Sequence, residues 1–576
     1  MNIIRTYRSI LGIPKFRIIA AVLLEIAMII ICECAFAQES SIQDPFKDLP
    51  ANRGIAGITV AVRDANSSAL LGAATPDGPA NDSLRIPFPG VYTSALDVIE
   101  SSDRVPKGSA RIPATQEAWL RFRPGEPKPD LSWESGKGKS YIIPALEIPG
   151  FLLVLNAFDR LVFRKDKHDG KRDYSSSLHA SWDHLIHGPW RYDDDGFQVN
   201  QIGHPYQGSL YHGFARSAGL DFWTSLVYAS LGSFLWETAG ETTNPSLNDQ
   251  VASGIAGSFF GEALFRMASL VLEDAGGSPG FWRELGAAVI SPPTGFNRLI
   301  FGHRFKPVLP SRDPAIFHWV RLGEGVIVGN RTGSNLSSRI LGSLNYSISY
   351  GLPGKPNYSY KRPFDYFQFE LTTSSRPNYI NIATQGLLLG EKYEVGHSYR
   401  GVWGLYGSYE YASPRFFRVS STAASLGTTA QWWLAPAVAL QGTILAGAGL
   451  GAGGEPPQKV GDRDYHYGIA GRGLLALRLI FGDLAMFDMS GRGHYISKAA
   501  GSKPEGTDII SNFEAGLTFR IYGKHALGIQ YVALRRDSHY TGLFESHQRL
   551  GTLSLLYTLL GDTRFGAVEW RNGYTH

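Results

Sequence analysis

From about Phe317 to Trp570 the chain is a succession of short segments with a two-residue period. In "NFEAGLTFRIY", Phe513, Ala515, Leu517, Phe519 and Ile521 fall on one face, and Asn512, Glu514, Gly516, Thr518 and Arg520 on the other. That is strand period, with one apolar side and one polar or small side. "YGIAGRGLLALRLIFG" sets Leu475, Leu477, Leu479 and Phe481 against Arg472, Ala476 and Arg478. "FDMSGRGHYI", "RGVWGLYGSYEYA" and "GTLSLLYTLLG" repeat the pattern. Turn signals such as "GK", "RRDS" and "GDT" separate the segments. Segments of roughly ten residues, apolar toward lipid and polar toward a lumen, describe a transmembrane β-barrel. About twelve can be marked, with "AGAGLGAGGEPP" readable as strand or loop and "RFGAVEWR" as the closing strand. A soluble sandwich also alternates. The N-terminal export signal, the aromatics at segment ends and the lack of cysteine beyond Cys34 favour the membrane barrel.

Residues 1–37 read as a cleaved signal peptide: Arg5, Arg8, Lys15 and Arg17, an apolar run from Ile18 to Cys32, then "AFA" before Gln38. Its removal takes four basic and two acidic residues, lowering the formal charge from +4 to +2, and both cysteines, Cys32 and Cys34. An exported chain without disulfides is not of the small stapled class. No basic face suggests a nucleic-acid partner. Beyond the signal, no stretch of about 20 residues is free of charge, Pro and polar breaks, so a closed barrel is the expected way across a membrane.

Residues 38–140 are rich in Pro, Gly, Ser and Asp and read as an irregular periplasmic linker region, able to reach a periplasmic partner. Residues 141–309 read as a helical domain, and 310–576 as the barrel. In the helical domain, "IIPALEIPGFLLVLNAFDRLVF" reads as a buried helix, and Asp221 as the cap of "FWTSLVYASLGSFLWETAGE". Ser253, Gly257 and Gly261 form a small-residue stripe, expected to pack against Ala229 and Ser233 of the preceding helix. His179, Asp183 and His187 read as a solvated helix face, and "RYDDDGF" as a polar turn.

This apolar domain holds several carboxylates. Ser246-x-x-Asp249 fits a capping box. Glu237 and Glu241, four apart, are expected on one helix face. Glu262 lies beside the small stripe. Such a cluster needs a basic partner, water, a proton or a cation when buried. Arg216 or Arg266 could neutralise it and fix the helices. Alternatively Glu237, Glu241 and Glu262 with His204 could act as general acids and bases. A third reading builds a metal site from Glu237, Glu241, Glu262 and His204 on paired helices, but no E-x-x-H motif marks it, and neither a metal nor a cofactor is assigned.

"NQIGHPYQGSLYHGFARSAG" followed by "WETAGETTNPSLNDQVASGIAGSFFGE" resembles the domain of unknown function 3943 family of uncharacterised bacterial envelope proteins. The matching residues are His204, Pro205, Tyr211, Ala215, Arg216, Trp236, Glu237, Glu241, Pro245, Ser246, Asp249, Gly261 and Glu262. The resemblance covers about 174–272 and implies no activity. Arg216, Ser246, Asp249, Trp236 and Tyr211 are then structural or binding candidates.

The expected whole is a Gram-negative outer-membrane protein with an α+β architecture. A barrel of about twelve antiparallel strands carries an N-terminal helical domain as lumenal plug or periplasmic cap. In the plug arrangement its carboxylates would meet Arg472, Arg478, Arg492 or Arg520. Outer-membrane lipid, lipopolysaccharide and the barrel-assembly machinery are the expected partners. A structural or gated-channel role, a lipid-modifying enzyme and an assembly or binding platform all remain open, so whether the chain is an enzyme is undecided.

Overall fold

The computed structural model describes residues 129–569, apart from 163–166, 169–170, 173–177, 193–194, 242–243, 274–278, 332–340, 375–378, 415, 455–464, 499–504 and 542–544. The signal peptide and most of the linker region lie outside the described residues.

Twelve strands form the barrel: β1 (Ile316–Arg331), β2 (Leu341–Tyr350), β3 (Phe367–Ser374), β4 (Tyr379–Val395), β5 (Tyr399–Ala412) and β6 (Arg418–Ala435). They continue with β7 (Val438–Gly454), β8 (Tyr465–Phe481), β9 (Ala485–Ile496), β10 (Gly506–Tyr522), β11 (His525–Tyr540) and β12 (Ser546–Leu560). Each pairs antiparallel with its sequence neighbours, and β12 pairs with β1, so the sheet closes with no edge. Closure satisfies the backbone of every strand, which a hydrocarbon surrounding demands. The Gly-rich run is strand: Ala446 to Gly454 pair with Leu426 to Arg418 of β6. The closing strand is "SHQRLGTLSLLYTLL", not "RFGAVEWR". After Leu560 the chain turns, and Phe565 and Val568 are buried against Phe317 and other residues of the barrel.

Ion pairs identify the lumen. Arg492 of β9 reaches Glu370 of β3 at 3.1 Å, although these strands are far apart in the sheet. Arg472 of β8 meets Glu410 of β5 at 2.7 Å. Positions alternating with these point outward, and many are exposed and apolar, among them Leu475, Phe487, Leu517, Ile529 and Leu555. The two-residue period thus sorts charged side chains inward and apolar ones outward.

The helical domain comprises α1 (Ile142–Val162), α2 (Leu178–Ile186), α3 (His204–Ser217), α4 (Phe222–Leu235), α5 (Gly257–Glu273), α6 (Phe281–Ile290) and α7 (Pro292–Phe301). Asp221 caps α4, accepting from the Thr224 amide at 3.0 Å. Three π-helical segments interrupt the domain: Val199–Gly203 before α3, Trp236–Gly240 after α4, and Gln250–Ala256 before α5. The small stripe faces α3 rather than α4. A Cβ on Gly257 would stand 2.7 Å from the Gly208 Cα, whereas α4 meets Gly254 through Ser230. Two glycine surfaces let these backbones touch, which a helix presenting Ala229 and Ser233 would not permit.

The helical domain packs on the outer wall of the barrel. Phe260 stacks on Phe369 at 6.2 Å and approaches Tyr409 at 5.9 Å. Phe197 lies 5.8 Å from Tyr411 and 5.2 Å from Tyr465. Each of these strand residues adjoins a lumenal one (Phe369 beside Glu370, Tyr409 and Tyr411 beside Glu410), so each faces out. Ser420 and Ala452, paired in register between Tyr411 and Tyr467, keep the wall low between the two tyrosines. The Gly407 Cα also admits the Phe259 ring, which a Cβ there would meet at 2.6 Å. Tyr409 donates to the Gln201 carbonyl at 2.6 Å, and Asn200 and Gln201 donate to Tyr465 and Tyr467 at 2.8 and 3.0 Å. These contacts correct the expected lumenal plug. The domain's apolar side chains match an apolar outer wall, while the lumen is charged.

Other side chains of the helical domain remain exposed and apolar: Leu153, Leu161, Val227, Leu231 and Trp282 are each more than half exposed. The α1 helix is therefore half-exposed, not buried throughout. By length and composition Ile142–Leu161 and Leu247–Glu273 could each cross a membrane, the second being mostly buried in protein. His179 and Asp183 lie on an accessible face of α2, and the exposed His187 directly follows it.

Candidate functional site

Glu262, Glu241 and the pair Glu237 and Asp249 occupy three different environments. Glu262, fully buried on α5, is held by cations. Arg216 donates to it from Nε at 2.6 Å and from a terminal nitrogen at 3.1 Å. Arg266, one turn on, donates at 2.8 Å, and the His212 Nε2 lies 3.2 Å away. Arg266 also binds Asp365 at 3.1 Å and the Pro363 carbonyl at 2.7 Å, in the segment joining β2 to β3. The Arg216 guanidinium lies over the Phe265 ring at 4.6 Å. A fork of donors around one carboxylate offsets the cost of burying it. Its chemistry is that of a fastening between α3, α5 and the barrel. Burial pushes the His212 imidazole below its ordinary value, against the opposing pull of Glu262.

Glu241 stands apart. The π segment Trp236–Gly240 ends α4, and Glu241 follows in extended conformation at φ −109°. It therefore does not share a helix face with Glu237, as the four-residue spacing suggested. Its carboxylate accepts from the indole Nε1 of Trp236 at 2.6 Å. Tyr211 is buried beside Phe151, with Gln207 donating to its hydroxyl.

Glu237, Asp249 and His204 come together. One ligand-type atom from each lies within 4.8 Å of the others, and all three residues are buried. The capping box of Ser246 and Asp249 forms in one direction only. The Ser246 hydroxyl accepts from the Asp249 amide at 3.2 Å, but the Ser246 amide donates to Glu237 at 2.8 Å. The Asp249 carboxylate is thereby released from its usual capping partner. It accepts from the Asn248 side chain at 2.9 Å and lies 3.9 Å from the His204 Nε2. The other His204 nitrogen is 3.3 Å from the Ser253 hydroxyl. Asn248 is not singled out in the sequence, and Ser253 only as a member of the small-residue stripe. Only the fold brings them against the cluster.

A second set of charges fills the lumen. Arg492 meets Glu370, and also Glu410 at 3.6 Å and Glu514 at 4.0 Å. Arg321 of β1 meets Asp488 of β9 at 3.0 Å. Arg478 donates to Gln441 at 3.2 Å and lies over Trp319. Arg520 pairs with Asp483 at a strand turn. The four arginines expected to meet helical carboxylates thus bind groups of the barrel itself, because the helices lie on the other side of the wall. Toward the turn between β6 and β7, Gln431 and Gln441 hold the C-terminal segment: Gln431 donates to the Val568 carbonyl at 2.7 Å and Gln441 to that of Gly566 at 2.7 Å. Beside the network lies a cavity of about 110 Å³, bordered by Arg321, Gln385 and Arg492.

A closed, up-and-down antiparallel barrel with an apolar outside and a charged inside belongs to the membrane-spanning β-barrels. Residues 189–293 match the model of the domain of unknown function DUF3943, in agreement with the resemblance carried by His204 to Glu262. No curated protein matches the chain. Solved structures similar to it include the NanC porin, at 9% identity and a TM-score of 0.24, over 41% of this chain and 98% of that one. The outer-membrane channel DcaP of Acinetobacter baumannii aligns at 6% identity and a TM-score of 0.20, over 42% and 96%. An outer-membrane channel from Pseudomonas putida F1 aligns at 11% and 0.23, over 44% and 97%.

Proposed function

We propose that this protein is an outer-membrane barrel serving as a restricted, gated channel, held shut at rest by lumenal ion pairs and its C-terminal segment. The observation that carries the reading is the set of charge pairs that cross the lumen, Arg492 with Glu370 and Arg472 with Glu410. The cavity beside Arg321 and Arg492 measures about 110 Å³, below the roughly 300 Å³ at which small-molecule sites begin. The apolar outer positions would meet lipid and lipopolysaccharide, and a chain of this kind would need the barrel-assembly machinery to insert.

Planar-bilayer recording tests the reading. The intact protein is expected to conduct rarely, and removal of the residues after Gly561, or Arg492→Gln, to raise its open time and conductance. A truncated, folded barrel as silent as the intact one would refute the gate and leave the barrel a scaffold for the helical domain.

A second reading, a lipid-modifying enzyme, draws on the buried imidazole and carboxylates of His204, Glu237 and Asp249 in a domain with an apolar exterior. It expects a lipid mass change in cells that make the protein, absent with Glu237→Gln. Identical lipid spectra from the two would exclude it.

A further inference from the structure

His204, Glu237 and Asp249 are delivered by three separate elements, each at the border of a π-helical segment. His204 directly follows Val199–Gly203, Glu237 lies within Trp236–Gly240, and Asp249 directly precedes Gln250–Ala256. A π turn re-aims side chains relative to the α-helix it interrupts, and such turns recur at functional sites. Here three of them meet at one point. The donors are one imidazole nitrogen and two carboxylate oxygens, all buried, with one atom of each within 4.8 Å of the others.

We propose that these three residues bind one divalent cation of the first transition row, of the Zn²⁺ or Mn²⁺ class. Nitrogen-plus-oxygen donor sets of this composition suit such ions better than Ca²⁺ or Mg²⁺, which take oxygen alone. A dication with two carboxylates and a neutral imidazole makes the buried group electrically neutral. Arg216 and Arg266 are engaged elsewhere, with Glu262 and Asp365.

Each donor also has the outer partner that metal ligands require. Ser253 lies at the His204 Nδ1, leaving Nε2 toward Asp249. The Ser246 amide holds one Glu237 oxygen, and Asn248 orients Asp249. Bonds of about 2.0–2.2 Å set ligand atoms roughly 3–3.5 Å apart. The 3.9 Å between His204 Nε2 and Asp249 Oδ1 therefore needs only a small closure. Glu241 and Glu262 are not ligands: the first serves Trp236 and the second the arginines. This inference is independent of the channel reading.

The full-length protein in detergent, stripped with a chelator, is titrated with Co²⁺ and then with Zn²⁺. The expected result is one Co²⁺ per chain with visible d–d absorption that Zn²⁺ displaces. Asp249→Asn and Glu237→Gln should weaken binding about tenfold or more, while Glu241→Gln binds like the wild type. Heat-modifiable gel migration reports that each barrel is folded. Folded wild type that gives no Co²⁺ absorption and retains no Zn²⁺ by elemental mass spectrometry would overturn the proposal. So would folded Asp249→Asn and Glu237→Gln proteins that bind as the wild type does. If those variants lose the folded migration, the metal content and absorption of the wild type decide alone.

Discussion

Glu262 is the carboxylate on which Arg216, Arg266 and His212 converge. They meet inside protein, so its removal leaves the buried Arg216 without its carboxylate and Arg266 with Asp365 as its one carboxylate. Breaking a buried pair from one side costs about 3–5 kcal/mol. Glu262→Ala is therefore expected to unfold the helical domain at a much lower temperature, as followed by circular dichroism. Glu241→Ala, which removes the acceptor of the Trp236 indole at a half-buried site, should cost about 1 kcal/mol. Within the helical domain, His212 contributes a pH dependence. Its imidazole is held neutral in the fold, while the unfolded chain takes up a proton near 6.5. Stability should hold above that pH and fall as pH drops through it, by up to about 1.4 kcal/mol per unit, until the folded group also protonates. Melting temperatures from pH 7.5 to 5 check this, and His212→Asn should flatten the fall.

At the scale of elements, the α3–α5 contact depends on glycine. A Cβ on Gly208 would stand 1.9 Å from the Ser253 carbonyl oxygen. Gly208→Ala is expected to force α3 from the segment leading into α5, destabilising the domain by about 1–3 kcal/mol. The barrel, whose strands pair without α3, should keep its heat-modifiable migration. Sequence reading located these elements unevenly. The small stripe was visible as a four-residue repeat, but its partner was not, because Gly208 is a single glycine among polar neighbours. The Asp221 cap and half of the Ser246 capping box were legible, since a cap is a local bond. The three π segments carry no compositional mark. The wide turn at Trp236–Gly240 is what separates Glu241 from Glu237, so spacing alone put them on one face. The strands were read from their alternation, and the closing strand was misplaced because "RFGAVEWR" also alternates in part.

At the scale of the whole molecule, the period of two told inside from outside but not what lies outside. Tyr409, Tyr411, Tyr465, Tyr467 and Phe369 obey the same alternation as Leu475 or Ile529, which stay exposed. An aromatic facing lipid and one facing a helix look alike in sequence. Only small residues beside or opposite them, such as Gly407, Ser420 and Ala452, hint that something lies close to the wall. The charged lumen and the apolar helical domain each find a chemical match: the lumen in its own ion pairs, the domain in the outer wall. Cysteine cross-linking tests this arrangement most directly, since the natural cysteines are confined to the N-terminal segment at Cys32 and Cys34. Phe260→Cys is combined with Phe369→Cys in one protein and with Glu370→Cys in another, and each is treated with a short bismaleimide in membranes. The account predicts an intramolecular cross-link to position 369, whose ring stacks on that of Phe260 at 6.2 Å, and none to position 370. A cross-link to 370 without one to 369 would put the helices in the lumen and contradict it.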